Sequence, residues 1–471
     1  MDHPTHYFLE IERLALLGDG VGHITTGGKE KGKAAFVAYS LPGEKILAQK
    51  VLDKKTYSRW IPQSIVQESL DRIEPACPYH FRPGQTALWC GGCNWQLFPV
   101  EQQREAKRDL VMETLERLGG ISDAPAIEVL FAEKSWRYRN NVQIVFGKRA
   151  QRVIGGFYAP GTHALVPIDD CLMQAQPSIH SFTVFKETAE ALGLQPYETK
   201  GDRGWLKQLL IRTNEAGEVH LVLVTRKASF PEREKCVQLI AARCPEVVSI
   251  YQNVQPERTS VMSGRQWIHL WGRTKIKEHL CDLKIACSPG AFLQVNTSAA
   301  EVLYRKAIEE VLPEPGMTVL DLYCGVGSLT LMAARSVEHV IGIDELPAAI
   351  DDARENAREN GIAHADFFAS TVEGFLQETS SVLGALSNRL VVIVDPPRSG
   401  CRGKVISQLL TLTPRRIVYI SCDPATLARD LKMLSAQYHL SAVTVVDLFP
   451  QTSHIEVIAR LEKKVPGREL G

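Results

Sequence analysis

The sequence has no excess of either charge: Lys plus Arg and Asp plus Glu each number 54 in 471 residues. Whole-chain electrostatics therefore points to no polyanionic partner, and any nucleic-acid surface has to come from local segregation of charge. No uninterrupted apolar run approaches the length of a bilayer span. The opening MDHPTHYFLE lacks the cationic-then-apolar order of a secretory leader. The expectation is a soluble cytoplasmic protein with no membrane partner. Internal repeats and low-complexity tracts are missing, and so is the G-x-G-x-x-G fingerprint, which weakens a dinucleotide reading. The eleven cysteines are an odd number in a long chain without a leader. That argues against a disulfide framework and for reduced thiols, a few of them ligands or nucleophiles. At this length one core does not suffice, and two to four domains are expected.

What is present sorts into three patterns. Residues 7 to 57 carry short strand-like runs (YFLEIERLAL, KAAFVAYS, KILAQKVL) separated by GDGVG, TTGGKEKGK and LPGE turns, as in a small barrel. Residues 99 to 118 place apolar side chains along one helical face until Gly119-Gly120 stops the run. From about 127 to 290 strand patterns return. After Pro313 strands alternate with helices, which predicts a mostly parallel, doubly wound α/β sheet of Rossmann type. Two final strands, near 441 to 448 and 454 to 461, are expected to form an antiparallel edge hairpin.

The chemistry concentrates in that last region. In VLDLYCGVG (319 to 327) an apolar strand runs into a glycine loop, and Asp344 closes the next strand where an acid can accept hydrogen bonds from a ribose. VDPPRSG (394 to 400) sets Asp395 before two rigid prolines, with Arg398 available to shape a pocket. Another strand ends in Ser421-Cys422, followed by Asp423-Pro424 and a helical pattern. A cysteine there sits on the sheet edge where α/β ligands bind, and the helix start is expected to favour its thiolate.

These stretches, with FLQVN (292 to 296), YISCDPATLARDL (419 to 431) and HIEVIARLE (454 to 462), resemble the RNA uracil-5-methyltransferase family over nearly the whole chain. The resemblance implies S-adenosylmethionine as cofactor, Cys422 as nucleophile and Glu456 as general base. It also implies a cofactor site lined by Gln294, Tyr323, Ser328, Asp344 and Asp395. The family's Ser-Cys-Asn-Pro is Ser-Cys-Asp-Pro here, and its usual Glu is Asp344. The chemistry explains the residue types. Carbon 5 of uracil is a poor nucleophile until a soft thiolate adds at carbon 6, and the carbon 5 proton must later leave to a positioned base. A base inside folded RNA also has to be taken out of its stack. Cys401 resembles the nucleophile of RNA cytosine-5-methyltransferases loosely and ranks second, and Cys324 fits a glycine loop without needing to react. An RNA-binding protein with a vestigial pocket is the reading from another class.

A second cysteine group lies in CPYHFRPGQTALWCGGC (77 to 93), where spacing alone leaves zinc and an iron-sulfur cluster both open. The resemblance to the ribosomal-RNA members implies a [4Fe-4S] cluster held by Cys77, Cys90, Cys93 and Cys171. Cys236, Cys244, Cys281 and Cys287 have no such context and read as core or surface thiols. Residues 7 to 57 resemble the RNA-binding TRAM barrel, of OB type, with Lys45, Lys50, Lys54, Lys55 and Arg59 giving its end a basic bias. In KSWRYRNNVQIVFGKRAQR, Trp136, Tyr138 and Phe146 interleave with cations, which suggests a stacking surface for RNA. The expected organisation is a TRAM barrel over 1–60, a β-rich cluster-bearing domain over 61–290, against whose borders the 99–118 helix packs on the catalytic domain, and a methyltransferase domain over 291–471. The expected substrate is 23S rRNA, modified by a monomer without DNA as partner. A transfer-RNA uridine and an RNA cytosine are the alternatives.

Overall fold

The computed structural model describes residues 6–24, 32–150, 152–198, 201–257 and 263–464. Most of the TTGGKEKGK turn and Gln151 of the basic stretch lie outside the described residues. No helix among the described residues is long and apolar enough to cross a membrane.

The chain sorts into two compact units. The first comprises residues 1–113, 157–168 and 449–455. Its strands from His6–Glu10 to Tyr57–Gln67 form one six-stranded sheet. Alternate side chains point inward along each strand and make a core of Leu9, Ile11, Ile24, Ala35, Val37, Ile46, Ala48 and Trp60. Several of the basic residues at the end of this sheet are already partnered. Lys50 lies 5.3 Å from the Trp60 ring and 3.7 Å from Asp53, and Arg59 is 3.9 Å from Asp19.

The helix Val100–Thr114 follows, and its buried polar residues grip the segment 449–455 of the same unit. Gln103 accepts from the Gln451 N–H at 2.8 Å, while Lys107, fully buried, donates to the Phe449 carbonyl at 3.0 Å. Asn94 receives the Ser453 N–H at 3.0 Å. The final turn of the helical run, Leu115–Gly119, widens to π geometry before Gly120 (φ 68°) stops it. In the second unit this turn lies against the helix Pro424–Leu434, with Gly119 facing Ala428.

The second unit holds two large sheets and a two-stranded ladder, Ile276–Leu280 with Leu283–Cys287. In one, Arg152–Tyr158, Asn141–Arg149, Leu206–Thr213, Val219–Thr225, Val247–Val254 and Gln266–Gly272 are neighbours in that order, antiparallel apart from the 219–225/247–254 pair. The strand alternation of Asn141–Arg149 turns Val142, Ile144 and Phe146 inward, and Phe146 packs on Phe182 and Phe185. Tyr138 is buried as well. The expected RNA-stacking role of these two rings is therefore corrected: the period of the strand turns Phe146 into the core, and Tyr138, in the segment before the strand, is buried too. Only Trp136 stays partly exposed, and Arg137 is held at 2.6 Å by Asp170.

The other sheet has eight strands. Ala365–Ala369, His339–Asp344, Thr318–Leu322, Leu390–Val394 and Arg416–Ser421 run parallel in that spatial order, and Glu456–Lys463 then pairs antiparallel with Arg416–Ser421. Tyr438–Asp447 lies outside it, antiparallel, as expected for the last two strands. This pair is not the edge. Ile127–Phe131 adds parallel to Tyr438–Asp447, and Lys306 ties Glu128 at 2.9 Å to Glu310 at 3.0 Å. A half-apolar strand from far upstream thus covers an edge that would otherwise offer unpaired backbone groups.

The FLQVN stretch joins the two sheets. Asn140 donates to the Gln294 carbonyl at 3.0 Å and to Thr297 Oγ1 at 2.8 Å, and Val295 accepts from the Asn140 N–H. Asn296, 1% exposed, caps the helix Thr297–Val311 through Ala299 N and donates its amide to the Leu448 carbonyl at 3.0 Å. Asn296→Ala removes a cap and leaves a buried carbonyl unpaired, a loss of about 1–3 kcal/mol. The expected outcome is a lower denaturant midpoint of the full chain, and an unchanged midpoint would show that water replaces both bonds.

Candidate active site

Strand register assembles the site. In the parallel strands Leu322 pairs with Ile343 and Val394, and Val394 pairs with Tyr419. The residues that follow, Tyr323, Asp344, Asp395 and Cys422, therefore leave the sheet along one edge. Glu456–Lys463 runs the other way and pairs Val457 with Ser421, so Glu456, its first residue, comes opposite Cys422. An antiparallel strand begins where its parallel neighbours end, and this brings the Glu456 carboxyl and the Cys422 thiol to the same edge.

Beside them lies an open cavity lined by Phe292, Tyr304, Asp321, Tyr323, Ser328 and Asp395, among others. Gly325 (φ 55°) and Gly327 (φ 83°) turn the backbone beneath it, and a Cβ on Gly327 would come within 3.0 Å of Ala353 and Phe367. Asp344 holds that loop, accepting the Gly325 N–H at 3.0 Å and the Leu346 N–H at 2.9 Å. Tyr323 itself adopts φ 70°, a conformation a side chain normally avoids, at a cost of about 1–3 kcal/mol. Ser328 Oγ is buried and without a hydrogen-bond partner at the cavity wall. An orphaned hydroxyl of this kind is suited to a polar ligand group.

Burial dominates the electrostatics. Asp321 and Asp395 are both pushed up to about 7 by desolvation, with Asp395 and Asp344 adding to the effect on Asp321 and the Thr330 hydroxyl opposing it. Glu456, 3% exposed, is raised well above the usual carboxylate range by burial and then by Asp395, while Arg398 pulls it back. The half-buried Cys422 thiol is pushed up to about 11 by burial, with Glu456 and Asp395 adding and Arg398 opposing. The thiolate expected from the helix start is thus not favoured in the free protein. Desolvation and two acids outweigh the dipole of an eleven-residue helix. Asp423 caps that helix, accepting from Ala425 N and Thr426 N at 3.0 Å each. A carboxylate does this as well as the amide of the family pattern.

The structure brings Tyr323, Ser328 and Asp395 to the cavity, and Cys422 and Glu456 to the edge next to it. Asp344 acts on the glycine loop, and Gln294 is placed through its backbone carbonyl. Cys401 is 4% exposed, its N–H bound to Asp430 at 2.8 Å and its thiol pushed up to about 12 by burial. Asp430 also takes the Tyr419 hydroxyl at 2.6 Å, so Cys401 belongs to a buried brace under the Asp-Pro-Pro-Arg loop. Cys324 is also raised by burial. Sequence reasoning missed the role of Asp321, although it stands inside DLYCGVG. It also missed Tyr304, whose helix carries no local signal of a cavity wall.

Cys77 is buried and Cys90 and Cys93 half-buried in the first unit, where Cys90 Sγ receives the Gly92 N–H at 3.3 Å. Cys171 belongs to the second unit.

The chain is similar to known proteins over most of its length. Residues 282–464 match the family model described as tRNA (Uracil-5-)-methyltransferase. An uncharacterized RNA methyltransferase of Halalkalibacterium halodurans is 36% identical over 456 residues, covering 96% of each chain. One from Bacillus cereus is 35% identical over 97% of each. Among solved structures, the Pyrococcus abyssi tRNA (uracil-54, C5)-methyltransferase in complex with S-adenosyl-L-homocysteine superposes with a TM-score of 0.74. It is 27% identical, over 97% of this chain and all of that one.

Because a thiolate fraction rises about tenfold per pH unit below the thiol's pKa, alkylation of Cys422 should climb steadily from about pH 7 to about pH 10. Cys401 should stay unmodified until the protein unfolds. Peptide mapping after timed alkylation checks both, and a Cys422 rate already flat near neutral pH would show that the helix start prevails over burial.

Proposed function

The chain belongs to the RNA uracil-5-methyltransferase family, and from that premise we propose that it methylates carbon 5 of a uridine in 23S rRNA through a transient bond from Cys422 to carbon 6. The observation that carries the mechanism is the pairing of Ser421 with Val457, which sets thiol and carboxyl face to face beside a cavity rich in acids.

S-adenosylmethionine, the family's methyl donor, supplies an electrophilic methyl group when bound. The residues present suit it: Ser328 Oγ lacks a partner, and Asp321 and Asp395 offer negative charge to a sulfonium. As positive charge enters, these coupled carboxyls are drawn to their ionised forms. Cys422 loses its proton to solvent, and the thiolate, favoured by the Arg398 cation, adds to carbon 6 of the flipped uracil as the ring double-bond electrons shift into an enolate at carbon 4. The addition makes carbon 5 electron-rich, so it takes the methyl group. Glu456, ionised with Arg398 as its counter-charge, then removes the proton from carbon 5, the double bond re-forms and the Cys422 sulfur leaves.

The assignment to ribosomal RNA leans on the resemblance of the N-terminal strands to a TRAM barrel and on the thiols of the cysteine loop. Soft donors at Cys77, Cys90 and Cys93, with an N–H already directed at Cys90 Sγ, suit a [4Fe-4S] cluster. Cys171 as fourth ligand rests on the sequence. A transfer-RNA uridine is the second reading, favoured by likeness to the Pyrococcus abyssi tRNA enzyme over 97% of this chain.

RNA carrying 5-fluorouridine, whose carbon 5 has no proton to lose, should trap a covalent adduct at Cys422. Cys422→Ala should abolish both adduct and turnover, whereas Glu456→Gln should accumulate the adduct on ordinary RNA. Turnover in the alanine variant would overturn the mechanism. Mapping 5-methyluridine in rRNA and tRNA from cells with and without the gene decides the substrate. A second test follows from the raised acids. Protonation of Asp395 below about pH 7 removes a negative charge from the cavity. S-adenosylmethionine affinity should therefore fall on acidification, while that of the uncharged product S-adenosylhomocysteine changes far less. Equal pH profiles in calorimetry would rule the charge complementarity out.

A further inference from the structure

Away from the cavity, three side chains with different donor atoms converge on the second unit. His180 lies on the helix Gln176–Ala191. Cys244 ends the helix Arg233–Arg243, and Glu246 follows it immediately before the strand Val247–Val254. One ring nitrogen, Sγ and one carboxylate oxygen lie within 4.8 Å of one another. We propose that His180, Cys244 and Glu246 bind a divalent cation of the zinc class, stapling the two helices where they pack behind the central sheet.

The donor set selects the ion. Sulfur and imidazole together disfavour calcium and magnesium, which take oxygen, and suit zinc, which takes nitrogen, sulfur and oxygen at about 2.0–2.3 Å. A neutral imidazole with a thiolate and a carboxylate carries two negative charges, matching a divalent ion. Arg243, a cation whose charge reaches Cys244, is paired with Glu187.

The geometry is partly prepared. Cys244 is fully buried, and its position is fixed by its N–H bond to the Ile240 carbonyl at 2.9 Å and by the Val247 N–H on its own carbonyl at 3.0 Å. Ser181, one residue after His180, donates to Glu246 Oε1 at 3.2 Å, the kind of outer partner that orients metal ligands. Glu246 is largely buried, whereas His180 is half exposed, leaving one side open for water as fourth ligand. Without a cation, His180 Nδ1 and Glu246 Oε1 meet at 2.5 Å. Two ligands of one tetrahedral zinc stand about 3.3 Å apart, so the ion takes the place of that contact through a small side-chain rotation. A surface ion pair alone would explain His180 and Glu246 but gives no reason for a buried thiol aimed at both.

The test uses the full chain as purified, titrated anaerobically with zinc alone and separately with cobalt. Its other thiols are common to wild type and variants and cancel in the comparison. His180→Ala, at an exposed position that does not threaten folding, should bind one equivalent fewer or bind it at least about tenfold more weakly. The wild-type-minus-variant cobalt spectrum should show tetrahedral bands and charge transfer from a single thiolate, and Cys244→Ser and Glu246→Gln should lose the same signal. Equal zinc stoichiometry and affinity in wild type and His180→Ala, or a difference spectrum without thiolate charge transfer, would overturn the proposal.

Discussion

One strand running against its neighbours organises this molecule. Parallel strands deliver loops to a single edge of a sheet, which concentrates ligand-binding groups there but draws all of them from strand ends. Glu456–Lys463 breaks the pattern, because its first residue, not its last, lies at that edge. A carboxyl can therefore face Cys422 from a rigid strand. The bond is regular backbone pairing, so the spacing of thiol and base is set by the sheet. On the other side the loop before Glu456 belongs to the first unit, where Gln103, Lys107 and Asn94 bind its backbone.

Burial is the second constraint, and it acts against the chemistry in the resting protein. Asp321, Asp395 and Glu456 are buried at this edge of the sheet, and desolvation pushes each toward its neutral form. The same desolvation keeps the Cys422 sulfur protonated. A site rich in acids but poor in charge suits a cation, because an interaction between charges is worth more where the dielectric is low. Arg398 is the counterweight built into the fold, lowering both Cys422 and Glu456.

Much of this was legible before any coordinates. The alternation of strands and helices after Pro313, the barrel-like run at the start and the stop at Gly119-Gly120 each follow from short-range patterns, and the structure follows them. The readings that changed depend on what lies across the sheet. Phe146 looked like a stacking residue in a basic stretch until its neighbours proved to be Phe182 and Phe185. The last two strands looked like an edge until Ile127–Phe131 covered them. Cys422 looked activated by its helix until the acids around it were counted, and Cys244 looked like an ordinary core thiol until His180 and Glu246 stood beside it.

The amino-acid order alone determined which residue types stand at strand ends and which motifs bound the sheet, because hydrophobic period and turn chemistry are local properties of the chain. It also determined the family, through motifs in a shared order. Only the tertiary structure decided that Glu456 opposes Cys422, that Ser328 has no partner, and that Cys401 is bound into a brace with Asp430. Those outcomes depend on which groups lose water together and which backbones pair across tens of residues, and no short window of sequence carries that information.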